Sequence, residues 1–134
     1  MEPSDGEKRK HFVYGTLRRG SYNYERFGLA RRSRRLGPAV LEGARMYDVG
    51  GYPCVVLTGD PAETVAGEIV EFLDPACERV ITRMEEYAGF VLRPCDVAGS
   101  TVWVFVMADV PRCAVPIRSG DWVSWEQGER VRDE

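Results

Sequence analysis

Glu85 is the residue whose type and position in this chain could most directly do chemistry. It lies in a stretch, Asp74 to Tyr87, with the periodicity of an amphipathic helix. Taking about 100° per residue with Cys77 at zero, Val80, Ile81 and Met84 fall within about 60° of it and mark the face expected to be buried. Glu85 falls at about 80°, on the shoulder of that face, whereas Glu86 falls at about 180°, directly opposite, with Thr82 and Arg83 one turn behind it. A carboxylate leaning on apolar surface finds its charged form disfavoured, so its pKa rises toward the range where it can take and return a proton near neutrality. That is the chemistry of a general acid/base. Glu78, at about 100°, shares the shoulder and is the internal rival. A glutamate that merely reaches from the shoulder to solvent is the alternative the helix alone leaves open.

The second place with chemical potential is Phe12-Val13-Tyr14-Gly15-Thr16-Leu17-Arg18-Arg19-Gly20, an apolar strand that breaks into a glycine-flanked bend. Gly15 lets the backbone turn sharply or approach a ligand closely, and amides leaving a strand in this way make a concave site for a carboxylate or oxyanion. A strand that simply turns fits the local pattern equally well. Among the remaining polar residues, Glu68 sits between apolar neighbours and reads as a paired structural carboxylate, and Tyr52 stands beside a turn where it either lines a pocket or packs. His11 is the only histidine and lies at the edge of a polar leader, so histidine-assisted nucleophilic catalysis has little to work with. Cys54, Cys77, Cys95 and Cys113 are scattered singly, without CxxC or zinc-ligand spacing, and read as buried free thiols. No GxGxxG or phosphate loop is present.

The elements that must position these residues follow from the punctuation. Met1 to Lys10 is polar and aperiodic and reads as a disordered leader, with one domain over 11–125 and a frayed tail over 126–134. Ser21 is placed to cap a short helix through Leu29, Arg31 to Arg35 is a charged connector, and Leu36 to Tyr47 alternates as a strand kinked at its start by Gly37-Pro38. Asp48 to Pro53 is a turn, Cys54 to Leu57 a brief strand, and Thr58 to Pro61 another turn. Glu63 to Leu73 is a long strand pinched at Gly67. Asp74-Pro75 starts the helix and Ala88-Gly89 stops it. Val91 to Val97 and Thr101 to Ala108 form a hairpin across Ala98-Gly99-Ser100, the second strand being apolar on both faces and hence central. From Pro111 onward the chain is irregular, with Gly120-Asp121-Trp122 folding a tryptophan back onto the core.

Composition bounds the rest. The chain has 134 residues, 44% hydrophobic and 29% charged, enough for one core and an ordinary globular balance, so composition alone gives a single α+β domain. No apolar run approaches a membrane span and the first residues lack a signal-peptide core, which implies a cytoplasmic protein with no membrane partner. Through Arg35 there are ten Lys/Arg against four Asp/Glu, and eight against seventeen thereafter. The basic first quarter carries no nucleic-acid-binding motif and reads as a solvated face.

Tyr14-Gly15-Thr16-Leu17-Arg18 with Gly20, then Met46-Tyr47-Asp48 with Gly51-Tyr52-Pro53, Val65-Ala66-Gly67-Glu68, Met84-Glu85-Glu86-Tyr87 and Arg93 come in an order that resembles the γ-glutamylcyclotransferase-like family. That family includes γ-glutamylamine cyclotransferases, plant avirulence-induced homologues and an enzyme that removes a γ-glutamyl protecting group during aminoglycoside assembly. The resemblance spans Phe12 to Trp122. It implies an α+β domain in which a curved, mostly antiparallel mixed sheet or small barrel encloses a pocket crossed by the Asp74 to Tyr87 helix. It also implies lyase-type amide cleavage, in which the α-amine of an L-γ-glutamyl amide closes on its own γ-carbonyl and releases 5-oxoproline and an amine. Glu85 would be the catalytic acid/base, and Tyr14, Gly15, Thr16 and Leu17 would bind the glutamyl portion of a small-molecule substrate. Because the nucleophile belongs to the substrate, neither a metal nor a cofactor is called for. Two departures bear on substrate choice, since Val91 and Phe105 stand where the family often has tyrosine. They leave a second reading, a catalytically silent relative that binds a small molecule or protein partner through the same pocket. Neither the leaving amine nor the oligomeric state is legible here.

Overall fold

Hydrophobic alternation and a few glycines decide where this chain turns. A computed structural model describes residues 9–18 and 21–129. Residues 1–8 of the expected leader (1–10), residues 130–134 of the expected tail (126–134) and the Gly20 end of the bend lie outside them. Lys10 already belongs to the first strand, β1 (Lys10–Val13), which with Tyr14 alternates Phe12 and Tyr14 into one apolar cluster and Val13 into another.

Gly28, at φ 63°, splits the expected Ser21 to Leu29 helix into α1 (Tyr22–Arg26) and α2 (Leu29–Arg32). Ser21 does occupy the N-cap position, but its side chain makes no capping bond. There is no free connector over Arg31 to Arg35, because β2 (Ser33–Glu42) follows α2 at once, with a register shift between Arg35 and Gly37. Nor is Leu36 to Tyr47 one strand. Gly43, at φ 75°, turns the chain between β2 and β3 (Ala44–Asp48). After β4 (Pro53–Leu57) comes β5 (Thr64–Phe72), pinched at Gly67, where an added Cβ would stand 2.5 Å from the Val13 carbonyl oxygen.

The helix α3 (Pro75–Tyr87) begins as its sequence dictates, with the Asp74 carboxylate accepting from the amides of Ala76 and Cys77 and Pro75 filling the first helical position. It is followed by the hairpin β6 (Val91–Val97) and β7 (Ser100–Val106), whose two turn residues, Ala98 and Gly99, take φ values of 52° and 82°. The last stretch is more ordered than its composition suggests. It contains β8 (Val115–Ile117), a helical turn α4 (Trp122–Ser124) and a further turn at Trp125–Glu129.

Two sheets result, of order β2-β5-β1-β7-β6 and β4-β3-β8. All pairs are antiparallel except β1 with β7. The larger sheet is curved but open, its edges β2 and β6 carrying no ladder between them among the described residues, so the small-barrel version of the expectation gives way to an open sheet. As expected from its apolar faces, β7 is an interior strand. Val102, Val104 and Val106 point to the cluster that also holds Leu41, Met46 and Trp122, whereas Phe105 points to the cluster beneath α3 with Leu29, Val70 and Ile81. Trp122 is fully buried, as its sequence context implies. No described helix is long and apolar enough to cross a membrane.

Candidate active site

On the α3 side of the larger sheet, a cavity of about 400 Å³ brings together the two stretches singled out by sequence. The end of β1 and its bend contribute Tyr14, Gly15, Thr16 and Leu17, and α3 contributes Met84 and Glu85. Phe90 and Phe105 add apolar wall, Tyr52 comes from the turn before β4, and Pro53 is the first residue of β4.

Local sequence explains how each part is held. The bend closes with the Arg18 amide donating to the Gly15 carbonyl at 3.0 Å, and the Tyr24 amide of α1 donates to the Thr16 carbonyl at 2.9 Å. Among the described residues no backbone acceptor is found for the amides of Thr16 and Leu17. Gly15 is required for a reason the sequence reading did not contain. A Cβ there would lie 2.7 Å from Pro53 Cγ, so the missing side chain makes room for the neighbouring turn. That turn is fixed in its own right by Asp48, which accepts from the Gly51 amide at 2.8 Å and from the buried Trp125 indole at 2.8 Å. Arg18 leaves the cavity, pairing with Asp121 at 3.0 Å and approaching Glu68 at 3.8 Å.

The Tyr14 side chain is committed to structure. Its buried hydroxyl donates to the Phe105 carbonyl at 2.6 Å and receives the Val55 amide. Burial first, and then the nearby charge of Glu85, push its ionisation well above the ordinary tyrosine range. What Tyr14 offers the cavity is therefore backbone and ring.

Glu85 sits near the C-terminus of α3, where Gly89, at φ 101°, closes the helix, the Phe90 amide reaching back to the Glu85 carbonyl at 3.0 Å and the Gly89 amide to that of Glu86 at 3.0 Å. This stop fixes both Glu85 and Phe90 at the cavity. Among the described residues the Glu85 carboxyl has neither an ion-pair partner nor a hydrogen bond, and burial pushes it up to about 7. The negative end of the helix dipole acts in the same direction.

The buried stripe of α3 is rotated from the one read by periodicity. Cys77 and Ile81 are buried and Met84 half-buried, but Val80 is 55% exposed, so the stripe is centred toward Glu78 and Glu85. Val80 thus leaves the expected core, and Glu86 lies on the exposed side as expected. Glu78, the rival, is engaged outside the cavity. It meets His11 Nε2 at 2.6 Å and Arg9 at 3.7 Å. His11 is not a leader-edge residue but a buried part of β1, set against the rings of Phe72 and Phe105. Glu68 takes the paired role preferred for it, 6% exposed with Arg35 at 3.4 Å and Arg18 beyond it.

Of the two departures from the resembled pattern, only Phe105 lines the cavity. Val91 pairs with Val106 and packs against the cluster that holds Val102, Val104 and Val106, and it is not part of the cavity wall. Arg93 is exposed and turned back to the Leu92 carbonyl. The cysteines are free, but only Cys54 and Cys77 are buried, Cys113 being exposed. Asn23, missed by sequence reasoning, joins the cavity wall and donates to the Thr16 hydroxyl at 2.7 Å. Its only signal is its place one turn after the bend. Among the described residues no group of three His, Cys, Asp or Glu side chains could hold a metal ion.

Comparison with known proteins gives the family and the fold. The chain belongs to the family described as "Gamma-glutamyl cyclotransferase, AIG2-like", whose family model matches residues 11–124. Its fold is that of an uncharacterized protein from Pyrococcus horikoshii, with TM-score 0.74 and 21% identity over 94% of this chain and 99% of that one. A uropathogenic E. coli-specific protein matches with TM-score 0.76 and 19% identity over 91% and 98% of the two chains. An AIG2-like protein from Mus musculus matches with TM-score 0.67 and 21% identity over 79% and 81%. No curated protein matches by sequence.

Proposed function

We propose that this protein is a γ-glutamyl cyclotransferase acting on a small L-γ-glutamyl amide. The observation that carries the reading is the Glu85 carboxyl, unpaired, held near pKa 7 and sharing one cavity with the Tyr14 to Leu17 bend. In the proposed reaction the bend amides of Thr16 and Leu17 hold the carboxylate end of the glutamyl group, and the cavity folds the substrate so that its α-nitrogen faces its own γ-carbonyl carbon. Such intramolecular orientation can contribute roughly 7–11 kcal/mol. Glu85, as carboxylate, takes a proton from the α-ammonium. The freed amine attacks the γ-carbonyl carbon and forms the new N–C(=O) bond of the five-membered ring, and the resulting tetrahedral species expels the amine as the original amide C–N bond breaks. The first proton passes on to solvent, and Glu85 takes the second proton that the ring nitrogen sheds on becoming an amide and gives it to the departing nitrogen, leaving 5-oxoproline and a free amine. A carboxyl near neutrality suits both halves of this exchange.

The reaction is tested by incubating the protein with a panel of L-γ-glutamyl alkylamines, amino acids and aminoglycoside conjugates and quantifying 5-oxoproline by mass spectrometry. Release from at least one class, above a no-protein control, is the expected result. Binding across the panel without release would instead favour a non-catalytic binder, the reading that Phe105 in the cavity wall keeps in play.

A further inference from the structure

Thr16 is gripped from two sides by one turn of α1. The Asn23 side chain donates to its hydroxyl at 2.7 Å, and the next residue, Tyr24, donates its amide to the Thr16 carbonyl at 2.9 Å. The remaining polar atom of Asn23, Oδ1, is closed to solvent and has no hydrogen-bond partner. Enclosing an acceptor without a donor is unfavourable, and an apolar side chain of similar size would fill the same space without that cost. An asparagine at this position is therefore explained by its one bond, the one to Thr16. That bond lies in the cavity wall, and Thr16 carries one of the amides directed by the bend.

We propose that Asn23 is a positioning residue for the glutamyl-binding bend. It fixes the Thr16 side chain while Tyr24 fixes its carbonyl, so the Thr16–Leu17 amides keep one orientation before a ligand arrives. Pre-organisation of this kind lowers the ordering cost of binding and acts on ligand affinity more than on proton transfer. This role rests on the cyclotransferase reading.

The test is a double-mutant cycle on Asn23→Ala and Thr16→Val, read out as the Kd of 5-oxoproline by calorimetry and the KM for L-γ-glutamyl-n-butylamine. Asn23→Ala is expected to weaken 5-oxoproline binding and raise KM by about tenfold, the scale of one lost hydrogen bond in a closed site. The pH midpoint of kcat/KM, which belongs to Glu85, stays in place. The double variant binds 5-oxoproline within about twofold of the weaker single variant, because both changes remove the same bond. A residue with only a structural role would lower Tm without this coupling in Kd. The proposal is overturned if Asn23→Ala stays within twofold of wild type in both readouts, or if the two losses multiply. A wild-type protein that neither binds 5-oxoproline nor turns over the amide overturns the cyclotransferase reading, and this role with it. Binding without turnover overturns only the chemistry and leaves the cycle in Kd decisive.

Discussion

Glu78 and Glu85 lie two turns apart on the same shoulder of α3, both half-buried, yet they meet opposite surroundings. Glu78 faces β1 where it begins, against His11 and Arg9, with Arg9 stacked 4.4 Å from the Trp103 ring. Glu85 faces the end of the same strand, where the chain bends away and the neighbours are Met84, Phe90, Phe105 and backbone. One carboxylate is absorbed into an ion cluster that ties helix to sheet, and the other is left without a partner beside a cavity. The helix supplies two nearly equivalent positions, and the strand beneath decides which is structural and which is free for chemistry.

The sharpest way to break this contrast is kinetic. Glu85→Gln is expected to lower 5-oxoproline release by about 10³-fold, within the range for losing a general acid/base, with the far-UV and near-UV spectra unchanged. Glu78→Ala is expected to leave kcat/KM within about threefold. Comparable losses in both would erase the distinction between the two ends of the helix.

Stability should show the reverse order. Glu78→Ala strands a buried imidazole and is expected to cost about 3 kcal/mol in urea denaturation, whereas Glu85→Gln should not destabilise the protein at neutral pH and should instead raise its stability, as the pH dependence below requires. Tyr14 sits where β1 enters the cavity. Tyr14→Phe leaves the Phe105 carbonyl and the Val55 amide without the phenol and is expected to cost about 2 kcal/mol, checked by the same denaturation.

The two ends should also respond to pH with opposite signs. Burial lifts the Glu85 carboxyl from 4.5 to about 7, so in that window the folded state keeps a proton the unfolded chain has released, and stability falls as pH rises. Glu85→Gln should remove about 1–2 kcal/mol of that fall, allowing for solvent screening at a half-buried site. His11 is lowered from 6.5, burial outweighing the pull of Glu78, so below that value the unfolded chain takes up a proton the folded state refuses, and stability falls as pH drops. Urea midpoints measured from pH 4.5 to 8 on wild type, Glu85→Gln and His11→Asn separate the two slopes.

The same contrast shows what was legible in the sequence. The start and stop of α3, the pinch at Gly67, the interior position of β7 and the burial of Trp122 follow from capping, steric and hydrophobic rules that act within a few residues. The bend at Tyr14 to Leu17 and the shoulder position of Glu85 were readable for the same reason, and their presence in one cavity is what the family resemblance implied. The partners were not readable. The His11–Glu78 pair joins residues 67 positions apart, and nothing local distinguishes a buried strand histidine from one at the edge of a polar leader. The side to which the α3 stripe rotates, exposing Val80, is set by the sheet it packs on. The break at Gly43 was missed because alternation continues across it, and β8 because a strand of three residues has too few positions to show a period. Gly15 was recognised as special, but its need arises from Pro53, a contact only the tertiary fold creates.

The central claim is spatial, and the most direct measurement is a crystal structure of Glu85→Gln with an unreacted L-γ-glutamyl amide bound. The account predicts the glutamyl carboxylate on the Thr16 and Leu17 amides and the α-nitrogen within hydrogen-bond distance of the residue 85 side chain, with the γ-carbonyl folded toward it. A ligand bound elsewhere, or one whose α-nitrogen points away from residue 85, would contradict it.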